Sequence, residues 1–197
     1  MRFLLADDHG LFRDSMAVWL KQLDNNLGID FADDFNSTQQ AIDNNRYDFI
    51  LLDLGMPGMQ GTLSIRHFCS LCEKTPLMIV SADENPLTIA ACLEAGARGY
   101  VTKSSDGQTI LQAIRHVMAG MRYLPAGIDS LKLPRLSDRQ LQILALLAEG
   151  LSNRAISDEL HLAEGTVKQY VSQLLKELDV DNRTQAAKKA GELLGIL

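Results

Sequence analysis

The stretch from Tyr47 to Gly61, YDFILLDLGMPGMQG, decides how the rest of the chain is read. Phe49 to Leu52 is an unbroken apolar run, too short and too closely flanked by breakers for a helix, and it predicts a strand buried on both faces. It ends on a carboxylate, Asp53, and the chain then breaks into a Gly/Pro turn. In an open α/β sheet, ligands gather where strands end, so Asp53 is placed for chemistry. Standing alone, it would serve equally well as a turn cap.

It does not stand alone. Arg2 to Ala6 predicts another strand, closing on Asp7 and Asp8, adjacent carboxylates that repel unless a cation lies among them and Asp53. Ile29 to Ala32, Pro76 to Ser81 and Arg98 to Thr102 complete five strands, the last two ending at Ser81 and Lys103. Helical patterns alternate with them. Phe12, Met16, Trp19, Leu20 and Leu23 form one apolar face, followed by a short segment near Ser37 to Asn44 and another over Leu63 to Leu71. Asn85 and Pro86 suit a helix start as cap and first residue, with Gly96 as its stop, and Ile110, Ile114, Val117 and Met118 mark a fifth helix. The alternation predicts an α/β fold, a doubly wound five-stranded parallel sheet.

Asp7, Asp8, Asp53, Ser81 and Lys103 then share the carboxyl edge of that sheet. Three carboxylates suit a hard divalent cation such as Mg²⁺, while a lysine and a hydroxyl opposite them suit a phosphoryl group. A carboxylate flanked by a metal and an ammonium can act as nucleophile in phosphoryl transfer.

The chain has 197 residues, enough for two small domains, with 46% hydrophobic and 22% charged residues. No apolar run is long enough to span a bilayer, and Met1 and Arg2 lead straight into FLLA without an export signal, so a cytoplasmic protein is expected. Three cysteines then point to reduced thiols. Cys69 and Cys72 make a CxxC late in a predicted helix, where packing is expected rather than redox chemistry. The four histidines lack metal-ligand spacing, which argues against zinc. The net charge is −6, and most of it lies between Met1 and Leu124, which holds ten Lys/Arg against fifteen Asp/Glu.

From Gly120 to Pro134 the pattern is aperiodic, which predicts a linker. Ser137 to Gln140 then reads as a capping box, with Leu136 and Leu141 as its staple, and Asn182 to Gln185 reads as a second. Between them, helices are expected to Gly150, from Ser152 through Ile156 and Leu160, and over Glu164 to Leu178. Four short helices with tight turns suit a helix-turn-helix module. From Leu133 on, eight Lys/Arg meet nine Asp/Glu, so counterion release on binding nucleic acid should be modest.

The motifs LADDH, LLDLGMPGMQG, IVSAD and ARGYVTK, in this order, resemble the receiver domains of two-component response regulators, with flavodoxin-like strand order 2-1-3-4-5. GLSN, EGTVK and NRTQA resemble the LuxR/NarL-type DNA-binding domain. The resemblance implies a receiver over 1–120, a linker over 121–134 and a helix-turn-helix domain over 135–197. It implies that Asp53 accepts a phosphoryl group from a sensor histidine kinase, and that Asp7, Asp8, Asp53 and the Gly55 carbonyl hold Mg²⁺. Ser81 and Lys103 would then bind the phosphoryl group, with Tyr100 as a switch aromatic that turns inward on phosphorylation. Thr166, Lys168, Gln169 and Ser172 would face double-stranded promoter DNA, bound by a homodimer at a partial inverted repeat.

Several positions depart from the family pattern. Ser104 follows the lysine where proline is frequent, and Gln60 precedes Gly61. Ala163 stands where Ser or Thr usually caps the recognition helix, Tyr170 replaces a frequent histidine, and Asp179 a frequent glycine. A competing reading, an Asp-nucleophile phosphohydrolase, lacks its second Asp, since Gly55 occupies that place; no enzyme is expected. In a second alternative, the helical module binds a protein partner instead of DNA.

Overall fold

In the computed structural model, which describes residues 1–125, 128 and 136–194, β1 (Arg2–Ala6), β2 (Gly28–Ala32), β3 (Phe49–Leu52), β4 (Leu77–Ser81) and β5 (Gly99–Thr102) form one parallel sheet in the order β2-β1-β3-β4-β5. The helices between them are α1 (Gly10–Leu20), α2 (Phe35–Asn44), α3 (Thr62–Leu71), α4 (Pro86–Glu94) and α5 (Gly107–Met118). All residues of β3 and β4 are buried, as expected of central strands covered on both faces. Phe3, Leu5, Phe49, Leu51, Met78, Val80 and Val101 point to one face and pack with Met16 and Leu20 of α1 and with Ile110, Ile114 and Val117 of α5. The alternate residues Leu4, Ile50, Leu52, Ile79 and Tyr100 are equally buried, on the side along which α2, α3 and α4 pack in series.

Local signals set the helix ends. The Asn85 side chain accepts the Leu87 N–H at 2.9 Å, with Pro86 opening α4. Gly96 ends that helix at φ +118, and a Cβ there would stand 3.2 Å from Cys69 Cβ and Sγ, so α3 and α4 also need the missing side chain. Two caps were not anticipated: Asp34, which forms a capping box with Ser37, and Asp106, which accepts the Thr109 N–H at 2.8 Å. Where α1 crosses the start of α5, a Cβ on Gly107 would lie 2.3 Å from Trp19 Cε2.

The chain divides into two compact units, Met1–Leu131 and Lys132–Leu197. The expected linker, residues 121–134, falls largely outside the described residues. Tyr123 within it adds a parallel bridge to Gly99 on the outer edge of β5. The second unit consists of α6 (Asp138–Ala148), α7 (Asn153–Glu159), α8 (Glu164–Glu177) and α9 (Arg183–Leu194). Leu144, Leu147, Ile156, Val167, Leu174, Ala186, Ala190 and Leu194 build its core.

The Ser137–Gln140 capping box is present, and Gln140 Nε2 also donates to Glu177 Oε2 at 2.7 Å, tying α6 to α8. The second box is altered. Asn182 Oδ1 accepts the Gln185 N–H at 3.0 Å, but the Gln185 carboxamide returns to the Asp181 N–H at 2.9 Å, one residue earlier than the box pattern places it. Asp179, with φ 51, takes the left-handed turn where glycine would be unstrained.

Candidate functional site

Backbone pairing continues one residue past the strands and brings the polar residues together. The Asp53 N–H donates to the Ala6 carbonyl at 2.9 Å, the Asp7 N–H to Ala32 at 2.9 Å, and the Lys103 N–H to Ser81 at 2.8 Å. Asp7 and Asp53 are thus fixed side by side, 1% and 2% exposed. Two buried carboxylates need a cation, and Lys103 Nζ supplies it, 2.8 Å from both Asp53 Oδ2 and Asp7 Oδ2. With Asp53 it makes a hydrogen bond; with Asp7 Oδ2 the contact is an ion pair without that alignment. Burial pulls the lysine's pKa down, but the adjacent Asp53 and Asp7 carboxylates outweigh it and the net shift is upward. The ammonium also lies 5.1 Å above the ring centroid of Phe12.

Asp7, Asp8 and Asp53 each offer an oxygen to one cluster in which all ligand atoms lie within 4.8 Å of one another. His9 is its fourth member. Metal spacings such as HxxxH presume a regular element, whereas His9 adjoins Asp8 and enters from the turn before α1. Its Nδ1 lies 2.7 Å from Asp8 Oδ1 and 3.3 Å from Lys103 Nζ. That nitrogen can donate to the carboxylate or accept from the ammonium, not both, and the shorter distance favours donation to Asp8. Three carboxylates are a hard oxygen set that fits Mg²⁺ better than a soft metal. At Gly55 the backbone passes close to the cluster, since a Cβ there would lie 3.5 Å from Asp53 Oδ2.

Ser81, which ends β4, accepts the Asp83 N–H on its Oγ at 3.2 Å. Tyr100 is 0% exposed, and its hydroxyl donates to the Asp83 carbonyl at 2.7 Å. The side chain therefore lies inside. The reason is local: the ring gains burial, and the carbonyl satisfies the hydroxyl that burial would otherwise strand. Ser104, which replaces the frequent proline, donates to Glu84 Oε1 at 2.8 Å and joins the loops that follow β4 and β5.

In the second unit, α8 turns Val167, Val171 and Leu174 inward. Gly165, Lys168, Gln169, Ser172 and Gln173 line one open depression on its outer side. Thr166 is half-buried at the edge of this face. Gln173 was not singled out from the sequence, although its position eight residues after Gly165 on a helical pattern could have identified it. Ala163 makes no side-chain cap to α8. Arg183 donates to Asn153 Oδ1 at 3.1 Å and to the Leu151 carbonyl, so this cation serves the start of α7 rather than the exposed face.

Cys69, Cys72 and Cys92 are free thiols. Burial pushes the Cys69 thiol up to about 11, with Cys72 adding to the shift, and burial also raises Cys72 and Cys92. These are the opposite of activated thiolates. Among the described residues no helix is long and apolar enough to cross a membrane.

Comparison with known proteins places both units. Residues 3–115 match the response regulator receiver domain, and residues 134–190 match the bacterial regulatory proteins of the luxR family. The chain is 32% identical to the glycerol metabolism activator of Pseudomonas putida over 211 residues, covering 98% of this chain and 96% of the relative. It is 31% identical to the transcriptional regulatory protein LiaR of Bacillus subtilis strain 168, covering 95% of each. Among solved structures, RcsB from Salmonella enterica serovar Typhimurium bound to promoter P1flhDC with phosphomimetic BeF3- is similar in fold. Its TM-score is 0.66 at 20% identity, covering 100% of this chain and 99% of that one. The response regulator ChrA of a heme-sensing two-component system gives a TM-score of 0.51 at 27% identity, covering 100% and 98%.

Proposed function

The chain belongs to the response regulators that join a receiver domain to a LuxR-type helix-turn-helix domain, and from that premise we propose that a phosphoryl group on Asp53 switches its binding to DNA. The observation that carries this reading is the position of Lys103 Nζ, 2.8 Å from both Asp53 Oδ2 and Asp7 Oδ2. It offsets one of the two buried negative charges and lies within reach of a phosphoryl group on Asp53.

In the proposed reaction an Asp53 oxygen forms a bond to the phosphorus of a phosphohistidine on a sensor histidine kinase. The P–N bond breaks, its electron pair stays on the imidazole nitrogen, and solvent supplies the proton that nitrogen then takes. Lys103 pairs with the transferred phosphoryl oxygens, and the Ser81 hydroxyl donates to one of them. Asp7, Asp8, Asp53 and the Gly55 carbonyl would hold Mg²⁺, whose charge, when bound, offsets that of the incoming phosphate. On α1, Leu11 and Val18, 83% and 69% exposed and two turns apart, offer the kinase an apolar contact beside this site.

The output is α8 in the major groove, with Thr166, Lys168, Gln169 and Ser172 toward the bases. Two modules in a phosphorylated homodimer would read a partial inverted repeat, in the cytoplasm. The names of the relatives, an activator and a transcriptional regulator, support control of transcription. The test is to incubate the chain with Mg²⁺ and a small phosphodonor and to locate the added phosphoryl group by mass spectrometry. It should map to Asp53 and be absent from Asp53→Asn; label on another residue would overturn the assignment.

A further inference from the structure

The outer face of α8 holds five side-chain positions at helical spacing, Gly165, Lys168, Gln169, Ser172 and Gln173, and they are not equally free to bind. Ser172 Oγ donates to the Lys168 carbonyl at 2.9 Å, so its one proton is committed to the helix backbone and it keeps only acceptor capacity. The carboxamides of Gln169 and Gln173 make no hydrogen bond to any described residue. Each therefore presents a donor and an acceptor side by side to whatever the face meets.

A carboxamide of this kind matches the N6/N7 edge of adenine bidentately. Gln169 and Gln173 are four residues apart, which separates them by about 6 Å along the helix axis, close to two base steps of about 3.4 Å each. Gly165 removes side-chain bulk at the leading end of the same face, where a Cβ would meet nothing within 4 Å.

We propose that Gln173 is a base-reading residue which, with Gln169, selects two A·T pairs about two steps apart in each half-site, Ser172 being secondary. This rests on the DNA-binding reading above and extends it from a contact face to a specificity.

The test selects bound duplexes from a randomised pool with the full chain, treated with Mg²⁺ and a small phosphodonor, and repeats the selection with Gln173→Ala and Gln169→Ala. Gln173 is exposed, and circular dichroism checks that its variant keeps the native helix content. The wild-type chain should enrich two A·T positions, each preferred over G·C by about 10-fold, within the range of one bidentate contact. Gln173→Ala should bring one of these preferences to about unity and leave the other, with Gln169→Ala doing the reverse. If Gln173→Ala keeps every preference, or loses affinity evenly over all sequences as a phosphate contact would, the proposal is overturned. If the wild-type chain enriches no sequence at all, the failure lies in the DNA-binding reading itself.

Discussion

The Lys103 ammonium stands 2.8 Å from Asp53 Oδ2 although the two residues are fifty positions apart in the chain. Because it also pairs with Asp7, it occupies by charge the place that a divalent cation would share. Lys103→Met should leave the carboxylates repelling one another, lower the thermal midpoint in chelator, and gain more from Mg²⁺ than the wild type does. Thermal unfolding with and without Mg²⁺ measures this; an equal Mg²⁺ shift in both proteins would show that lysine and cation do not share the site.

Two tyrosines make stability fall in alkali. Burial, then the hydrogen bond to Asp30, pushes Tyr47 up to about 12, and burial first raises Tyr100 further still. Both are raised above the unfolded value of about 10, so their contribution is whole below pH ~10 and is lost as pH rises through the folded values. The raised Lys103 acts in the same direction above its own unfolded value of about 10.4. Denaturant unfolding between pH 9 and 12, taken as approximate limits around these values, should show the decline, and it should be shallower in Tyr47→Phe.

The tight packing of Trp19 on Gly107 predicts a sharp response to one methyl group. Gly107→Ala places a Cβ 2.3 Å from Trp19 Cε2, inside van der Waals contact, and should cost about 1–3 kcal/mol as an overpacking change. Trp19 is the single tryptophan, so its emission should shift in the folded variant. An unchanged spectrum with unchanged stability would mean that the indole moves aside freely.

Both ends of α8 are open to improvement. Ala163 gives no cap, and Asp179 sits at φ 51. Ala163→Ser should stabilise the helical unit by about 1 kcal/mol, and Asp179→Gly should do so by a fraction of that through relief of the left-handed backbone. Calorimetry of the full chain resolves the transition concerned. A loss of stability in Ala163→Ser would mean that the serine does not reach the free N–H groups.

What the sequence by itself determined was whatever depends on neighbours within a few positions. The run from Phe49 to Leu52 ending at Asp53, the Asn85-Pro86 start and the Ser137–Gln140 box all became the elements that local propensity predicts. With the strand order, these sufficed to bring Asp7, Asp8, Asp53, Ser81 and Lys103 to one edge. Tertiary structure alone decided how that edge is wired. His9 meets Lys103 across 94 positions of chain, Tyr100 is held by the Asp83 carbonyl, and Ser104 reaches Glu84. Each of these depends on the direction a side chain takes once two distant loops are packed, and no periodicity encodes that direction. The same holds for α8. Its inward stripe is written in the spacing of Val167, Val171 and Leu174, but that Ser172 spends its proton on Lys168 while Gln173 keeps its carboxamide free depends on rotamers and on the shape of the exposed face.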